Sequence, residues 1–144
     1  MPIESYITDS KNGKTVRIVG GDALAVNPPH PSLPFNGTLG TDDVTVNIVP
    51  AKADHVFCIT AIFMTSNKNV DANTAATVTI FTGDSETTTA ANALTTILSV
   101  PLPKNDQRDY NPILVEAEEG KWVNAVTSDD DVFVTILGYY LNVN

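Results

Sequence analysis

The sequence predicts an all-β protein that folds as an antiparallel β-sandwich. From residue 42 onward, short runs of apolar and β-branched residues follow one another, and clusters of Gly, Asn, Asp and Ser separate them. The run that closes the chain, residues 131–140, is the clearest of these. Helical periodicity is almost absent from the same part of the chain. About seven short strands joined by short turns are typical of two packed sheets.

Length and charge limit the possible functions. A chain of 144 residues is long enough for one domain with its own core, and a second independent domain is not expected. Its 17 acidic and 8 basic residues give a net charge of −9. Such a surface repels phosphate backbones, so we expect no nucleic-acid partner.

The N-terminus and the single cysteine indicate the compartment of synthesis. Cys58 is the only cysteine, which excludes an intrachain disulfide and fits a reducing compartment. The first six residues lack the basic and apolar regions of a signal peptide, and no apolar stretch is long enough to cross a bilayer. The sequence therefore predicts synthesis in the cytoplasm and no membrane partner.

Residues 1–40 differ from the remainder in charge and composition. They contain three acids and three bases, so the net charge of −9 belongs to residues 41–144. Residues 15–19 alternate as a short strand after the Asn12-Gly13 turn. Residues 28–34 contain four prolines, which predicts an extended linker outside any sheet interior. We therefore divide the chain into an extended N-terminal arm with a Pro-rich linker, residues 1–40, and a sandwich, residues 41–144.

Residues 41–144 contain the predicted strands of the sandwich. In the first of them Val44, Val46 and Ile48 alternate with polar residues, and Pro50 ends the strand. A polar loop at residues 83–93 is expected to be exposed. The other strands are predicted at residues 55–65, 77–82, 94–102, 113–115, 122–126 and 132–141.

The strand predicted at residues 55–65 is apolar on both faces. Strict alternation places Val56, Cys58, Ile62 and Met64 on one face, and Phe57, Ile59, Ala61 and Phe63 on the other. A strand of this kind is covered on both sides, either by two layers of one domain or by one layer and a neighbouring subunit.

The order of strands and turns favours one type of sandwich. An immunoglobulin-like domain usually has a Cys, Trp, Cys order, which this sequence lacks. We therefore predict a jelly roll.

Several features recur in a fixed order after Pro50. They are an apolar strand ending in a Ser-Asn turn, a Thr/Val strand, a long polar loop, a strand leading into a Pro bend, an acid-Gly turn before a strand ending in Thr-Ser, and a last strand with Gly-Tyr. In this sequence they lie at residues 59–67, 76–81, 83–93, 94–103, 119–128 and 136–139. This order resembles that of small jelly-roll virion proteins of tailed bacteriophages, and the resemblance covers roughly two thirds of the chain.

The resemblance implies a structural virion protein. It implies a capsid decoration or cement protein, a homotrimer that binds the major capsid protein on the outer surface of the phage head after synthesis in the host cytoplasm. The N-terminal arm would clamp capsomers and stabilise their contacts, because a neutral arm avoids the repulsion that an acidic body meets. The candidate partner-binding residues are Ile3, Tyr6, Ile7, Lys11, Lys14 and Arg17.

A second hypothesis is a receptor-binding or carbohydrate-binding jelly roll of a phage tail appendage. Trp122, Tyr139 and Tyr140 offer rings for a platform on which sugars stack, but they are in strands with apolar alternate positions, which favours packing in the core or between subunits instead. Residues 129–131 together with 42–43 offer carboxylates for Ca²⁺, although adjacent carboxylates in turns are usually solvated. His30 and His55 have no supporting motif.

A third hypothesis is a hydrolytic enzyme. The sequence contains no phosphate-binding glycine loop, no nucleophile elbow and no paired-His metal motif. A glycosidase-like pair is conceivable among Asp106, Asp109, Glu116, Glu118 and Glu119, but their separation does not follow from the sequence. We predict that the protein is not an enzyme and has no catalytic residues, cofactor or metal site.

Overall fold

The computed structural model describes residues 32–40, 43–66, 75–129 and 131–144, and the backbone alone of residues 5–9 and 14–18. Eleven strands form in these ranges, with a single 3-10 turn at Ala90–Asn92. The strands are β1 Ser5–Asp9, β2 Lys14–Ile18, β3 Leu33–Leu39, β4 Val46–Val49, β5 His55–Ser66, β6 Ala76–Gly83, β7 Thr95–Leu102, β8 Gln107–Tyr110, β9 Val115–Glu116, β10 Trp122–Thr127 and β11 Val132–Asn142.

Nine of these strands form two antiparallel sheets packed face to face. The large sheet has the order β3-β11-β5-β8, and β9 pairs with β5 on the same side as β8. The small sheet has the order β4-β10-β6-β7. The prediction of an all-β antiparallel sandwich is confirmed. Within the described part of the chain, no helix has the length and apolar character needed to cross a bilayer.

The pairing of the strands is nested along the chain. β3 pairs with β11, β4 with β10, β5 with β8 and β9, and β6 with β7. β8 and β9 pair with successive parts of β5, so they act as one interrupted strand. Eight strands paired first with last and inward from there have the order of a jelly roll.

The hydrophobic core lies between the two sheets. Its largest fully buried side chains come from both sheets, so neither sheet can form alone without exposing an apolar face to water. The core comprises Leu39, Ile48, Val49, Phe57, Ile59, Ile62, Met64, Ala76, Val78, Ile80, Leu102, Ala117, Val123, Ala125, Val132, Val134 and Ile136.

A β-bulge at Thr60 changes which side of β5 faces the core. Leu137 is paired with Ala61 and Gly138 with Ile59, so Thr60 has no partner in the β11 register. Its hydroxyl donates to the Leu137 carbonyl at 3.2 Å. The extra residue reverses the alternation, because two residues of one strand then oppose one of the other. The prediction of strict alternation along residues 55–65 was therefore wrong, and Phe57, Ile59, Ile62 and Met64 all face the core.

The boundary predicted at residue 40 falls inside the sandwich. β3, assigned to the linker because of its proline, pairs with β11 along its whole length and buries Leu39. Proline is tolerated there because β3 is at the edge of the large sheet, where a missing amide donor breaks no ladder on the outer side. Residues 33–39 therefore belong to the body and not to the linker. The other residues of the predicted Pro-rich stretch before Ser32 lie outside the described ranges.

The N-terminal arm contains two strands instead of the single predicted one. β1 and β2 form a separate two-stranded antiparallel sheet in which Ile7 is the register partner of Val16. The strand predicted at residues 15–19 is present as β2, and the Asn12-Gly13 turn lies outside the described residues. The chain therefore reverses direction within the arm, which was predicted to be extended.

The strand predicted to begin at Val44 starts later in the structure. β4 begins at Val46, and Val44 is exposed ahead of it. β4 buries the adjacent residues Ile48 and Val49, since the β10 ladder shifts register opposite them.

The polar loop between β6 and β7 is tied to the outer side of the small sheet. Asn124 of β10 is fully buried, and its Nδ2 donates to the carbonyls of Ser85 at 3.0 Å and Thr88 at 3.4 Å. Its Oδ1 accepts a hydrogen bond of 3.1 Å from Asn47 Nδ2. Phe81, the register partner of Asn124, is also fully buried. The predicted exposure thus holds for most of the loop's side chains but not for its backbone.

Gly138 is required by a close approach of two strands. A Cβ at this position would lie 2.2 Å from the Cys58 carbonyl oxygen and 2.6 Å from Phe57 Cζ. We expect Gly138→Ala to lower the free energy of unfolding by about 1–3 kcal/mol because of overpacking. Gly40→Ala is the matched control, since a Cβ there meets no atom within 4 Å. Urea denaturation followed by circular dichroism measures both, and equal stabilities would contradict the close approach.

Asn124 holds the β6–β7 loop through its side-chain amide. Asn124→Ala leaves the Asn47 amide and two loop carbonyls without this partner, so we expect the free energy of unfolding to fall by about 2 kcal/mol. Asn92→Ala, in the exposed 3-10 turn of the same loop, should change it by less than about 0.5 kcal/mol. Thermal unfolding of the two variants tests this, and equal losses would show that the buried amide has no special role.

Candidate functional site

The outer face of the large sheet carries a continuous group of apolar side chains. On β11 the odd-numbered residues point away from the core. On β5 the bulge at Thr60 shifts the alternation, and the residues that do not pack in the core point outward. None of these side chains belongs to the core cluster of the described residues. We call this group the outer apolar face; it consists of Val56, Cys58, Ala61, Phe63, Leu114, Phe133, Leu137, Tyr139 and Leu141.

The register places these side chains in two adjacent stripes. Leu137 is directly opposite Ala61, and Leu141 is opposite Val56. Directly opposed side chains on neighbouring strands are about 5 Å apart at Cβ, so they form a single surface. Phe133 and Leu141 are exposed at the two ends of the β11 stripe.

Leu114 extends the outer apolar face beyond β5. The amide of Ile113 donates to the Thr60 carbonyl at 3.0 Å, which keeps the segment between β8 and β9 beside β5. Ile113 and Val115 pack against the core, so the side chain between them points outward. Leu114 is 70% exposed, the highest fraction among the large apolar side chains of the described residues.

Charged residues are excluded from most of this side of the sheet. The outward positions of β3, β11 and β5 carry no Asp, Glu, Lys or Arg, although residues 41–144 hold the whole net charge of −9. Asp109 and Glu116, on β8 and β9, border the face along one side only. Across the face, Thr135 donates to Asn36 Oδ1 at 2.7 Å and satisfies polar groups between β11 and β3.

Cys58 lies within the outer apolar face and is nearly fully buried by its neighbours. Burial is the main cause that raises the pKa of its thiol, and the negative charge of Glu116 adds to the effect. A side-chain hydrogen bond with Tyr139, its register partner, opposes both. The thiol is therefore protonated at neutral pH and behaves as an apolar group of the sheet.

The candidate partner-binding residues of the arm fall partly within the described residues. Tyr6 and Ile7 are in β1, and Lys14 and Arg17 are in β2. Tyr6 is the register partner of Arg17, so the hairpin brings these two positions together. Ile3 and Lys11 lie outside the described residues. The role of these residues in binding stays a prediction.

Trp122, Tyr139 and Tyr140 do not assemble into an aromatic platform. Tyr139 points outward from the large sheet, whereas Tyr140 points inward, packs against Phe57 at a ring distance of 5.1 Å and donates to the Pro50 carbonyl at 2.6 Å. Trp122 belongs to β10 of the small sheet. Successive residues of a strand point to opposite faces, which rules out this platform, and the packing that the sequence favours is found for Tyr140.

The acidic residues weighed for calcium binding or hydrolysis are not brought together into one site in the described residues. Asp42 and Asp130 lie outside them, and no group of three metal-binding side chains is found among the residues that are described. Glu116 borders the outer apolar face, whereas Glu118 accepts a hydrogen bond from Thr95 of the small sheet. His30 lies outside the described ranges, and His55 Nδ1 is 2.7 Å from the Ala53 carbonyl oxygen.

No protein-family model matches the chain, and no curated protein is significantly similar to it. The resemblance to phage virion proteins therefore depends on the order of strands and turns. The outer apolar face is the feature with which we associate function. Sequence reasoning found both apolar faces of β5, but it did not assign their residues correctly and it missed Leu114, which lies outside a strand.

Tyr139 shields the Cys58 thiol from solvent. We expect Tyr139→Ala to make Cys58 react several-fold faster with a thiol reagent in the folded protein, because removal of the cover opens the thiol to solvent and reagent. This gain outweighs the loss of the hydrogen bond, which by itself raises the thiol pKa. Glu116→Gln is the comparison variant. It removes a charge that raises the thiol pKa, so it should speed the reaction only through a larger thiolate fraction. Reaction rates measured from pH 7 to pH 9 separate the two effects, and an unchanged rate in Tyr139→Ala would contradict the shielding.

Proposed function

We propose that this protein is a structural virion protein, a capsid decoration or cement protein of a tailed bacteriophage. In this proposal it binds the major capsid protein on the outer surface of the head and acts as a homotrimer. The observation that carries the proposal is the outer apolar face, an uncharged surface on an acidic jelly roll. Such a surface suits a protein that works through contacts between subunits, because charged residues are depleted at the centre of interfaces.

The differences between arm and body support separate roles for them, with the arm binding the capsid. The body contains the nested strand order and the acidic charge, whereas the first forty residues are neutral in sum. A neutral arm with Lys14 and Arg17 approaches an acidic surface with less repulsion than the body does. A two-stranded hairpin is marginally stable alone in water, so β1 and β2 gain stability by packing on a partner. We therefore propose that the arm binds the capsid.

The position of β3 determines how the arm should be removed. A truncation that lacks residues 1–27 keeps β3 and its ladder to β11. It should retain the thermal stability of the full chain but bind expanded heads of the phage that encodes it at least about tenfold more weakly, a loss of about 1.4 kcal/mol. Co-sedimentation with the heads measures the binding.

A second truncation is the control for folding. Removing residues 1–40, the boundary suggested by sequence, also removes β3 with the buried Leu39, so this variant should lose stability as well as binding. Full binding of heads by the protein that lacks residues 1–27 would contradict the role of the arm.

A further inference from the structure

We infer that the outer apolar face is the surface through which one copy of this chain binds another. Leu114 and Phe133 are 70% and 46% exposed and lie on the same side of one sheet. Between them, the side chains of Phe63 and Leu137 are partly exposed, whereas the small Ala61 is buried between its larger neighbours. Grouped exposed apolar residues of this kind mark interaction sites, whereas scattered ones do not.

The charge distribution selects a second copy as the partner. A basic partner would be attracted to the acidic residues of the body. The outward positions of β3, β11 and β5 contain no acidic residue, so a basic partner would bind elsewhere. The bodies of two copies, each with a net charge of −9, repel one another least across an uncharged area. Asp109 and Glu116 border only one side, so two copies can meet with these carboxylates apart. Added salt should strengthen this association by screening the repulsion between the bodies.

The size of the face sets the expected strength. With about 3.4 Å per residue and about 4.8 Å between strands, its outline is about 27 Å by about 15 Å, or at most about 400 Å², because Cys58 and Ala61 within it are buried. A standard stable interface buries about 800 Å² per partner. Association through this face alone is therefore weak and depends on protein concentration.

Contact through the face is favoured over pairing at the sheet edge. β3 forms one edge of the large sheet and contains Pro34, which has no amide to donate to an added strand. The opposite edge is divided between β8 and β9, which are short. The two sides of the large sheet thus have different roles, one packed on the small sheet and the other open to a second copy.

The test compares matched variants of the full chain. Leu114→Glu with Phe133→Glu places charges on the outer apolar face. Val44→Glu with Leu94→Glu is the control, because these side chains are 51% and 46% exposed and belong to the small-sheet side. Sedimentation equilibrium from micromolar to millimolar concentration gives the mass of each protein.

We expect the full chain and the control to rise above 15.4 kDa with concentration, and more so in added salt, while the face variant stays at 15.4 kDa. The dissociation constant of the face variant should be at least about tenfold higher than that of the control. A full chain that stays at 15.4 kDa throughout, or a face variant that associates like the control, would overturn the inference. Leu114→Glu alone, in a loop, repeats the test should the double variant fold poorly.

The expected number of copies, three, rests on the proposed function, whereas the surface at which they meet does not. A limiting mass of three times 15.4 kDa supports both the surface and the homotrimer. A limiting mass of twice 15.4 kDa supports the surface and contradicts the homotrimer. Self-association by a protein that does not bind phage heads supports the surface and contradicts the virion role.

Discussion

β5 and β11 pair along the middle of the large sheet, from Ser66 opposite Val132 to His55 opposite Asn142. This ladder joins the third and the last strands of the body, so the long-range pairings of the jelly roll are arranged around it. Because of the bulge at Thr60, β5 offers Phe57, Ile59, Ile62 and Met64 to the core in spite of their uneven spacing. The close approach at Gly138 belongs to the same irregularity, since it lies where the register shifts. The position of the bulge therefore decides which side chains of β5 are left for the outer side.

The two faces of the large sheet differ in what covers them. The inner face stabilises the fold through burial of apolar side chains against the small sheet. The outer face of the small sheet is partly covered by the chain itself, through the loop that Asn124 holds. The outer face of the large sheet has no comparable loop among the described residues, and there Leu114, Phe133 and Leu141 are exposed. This asymmetry links the packing of the fold to the proposed association of copies.

Much of the fold follows from the sequence, because strands with regular alternation can be recognised from the local pattern of residues alone. β5 and β11 were predicted nearly to the residue, and the choice of a jelly roll agrees with the nested pairing. The errors arose where local signals conflict with tertiary context. β3 was not predicted because of Pro34. Leu33, Phe35 and Leu39 of this strand do lie at alternate positions, and the proline is tolerated because β3 is an edge strand. The Thr60 bulge has no clear sequence signal, and the burial of Asn124 depends on a loop that returns from a distant part of the chain. For these reasons the outer apolar face was anticipated as a property of β5 but not residue by residue.

In the proposed association, another copy of the chain covers the outer apolar face. Hydroxyl-radical footprinting with mass spectrometry measures it directly, because it reports the solvent exposure of individual side chains over a range of protein concentrations. We expect oxidation of Phe133, Leu114 and Leu141 to fall as the concentration rises, while that of Leu94, which is exposed on the small-sheet side, stays constant. Oxidation of all four side chains at a ratio that does not change with concentration would contradict it.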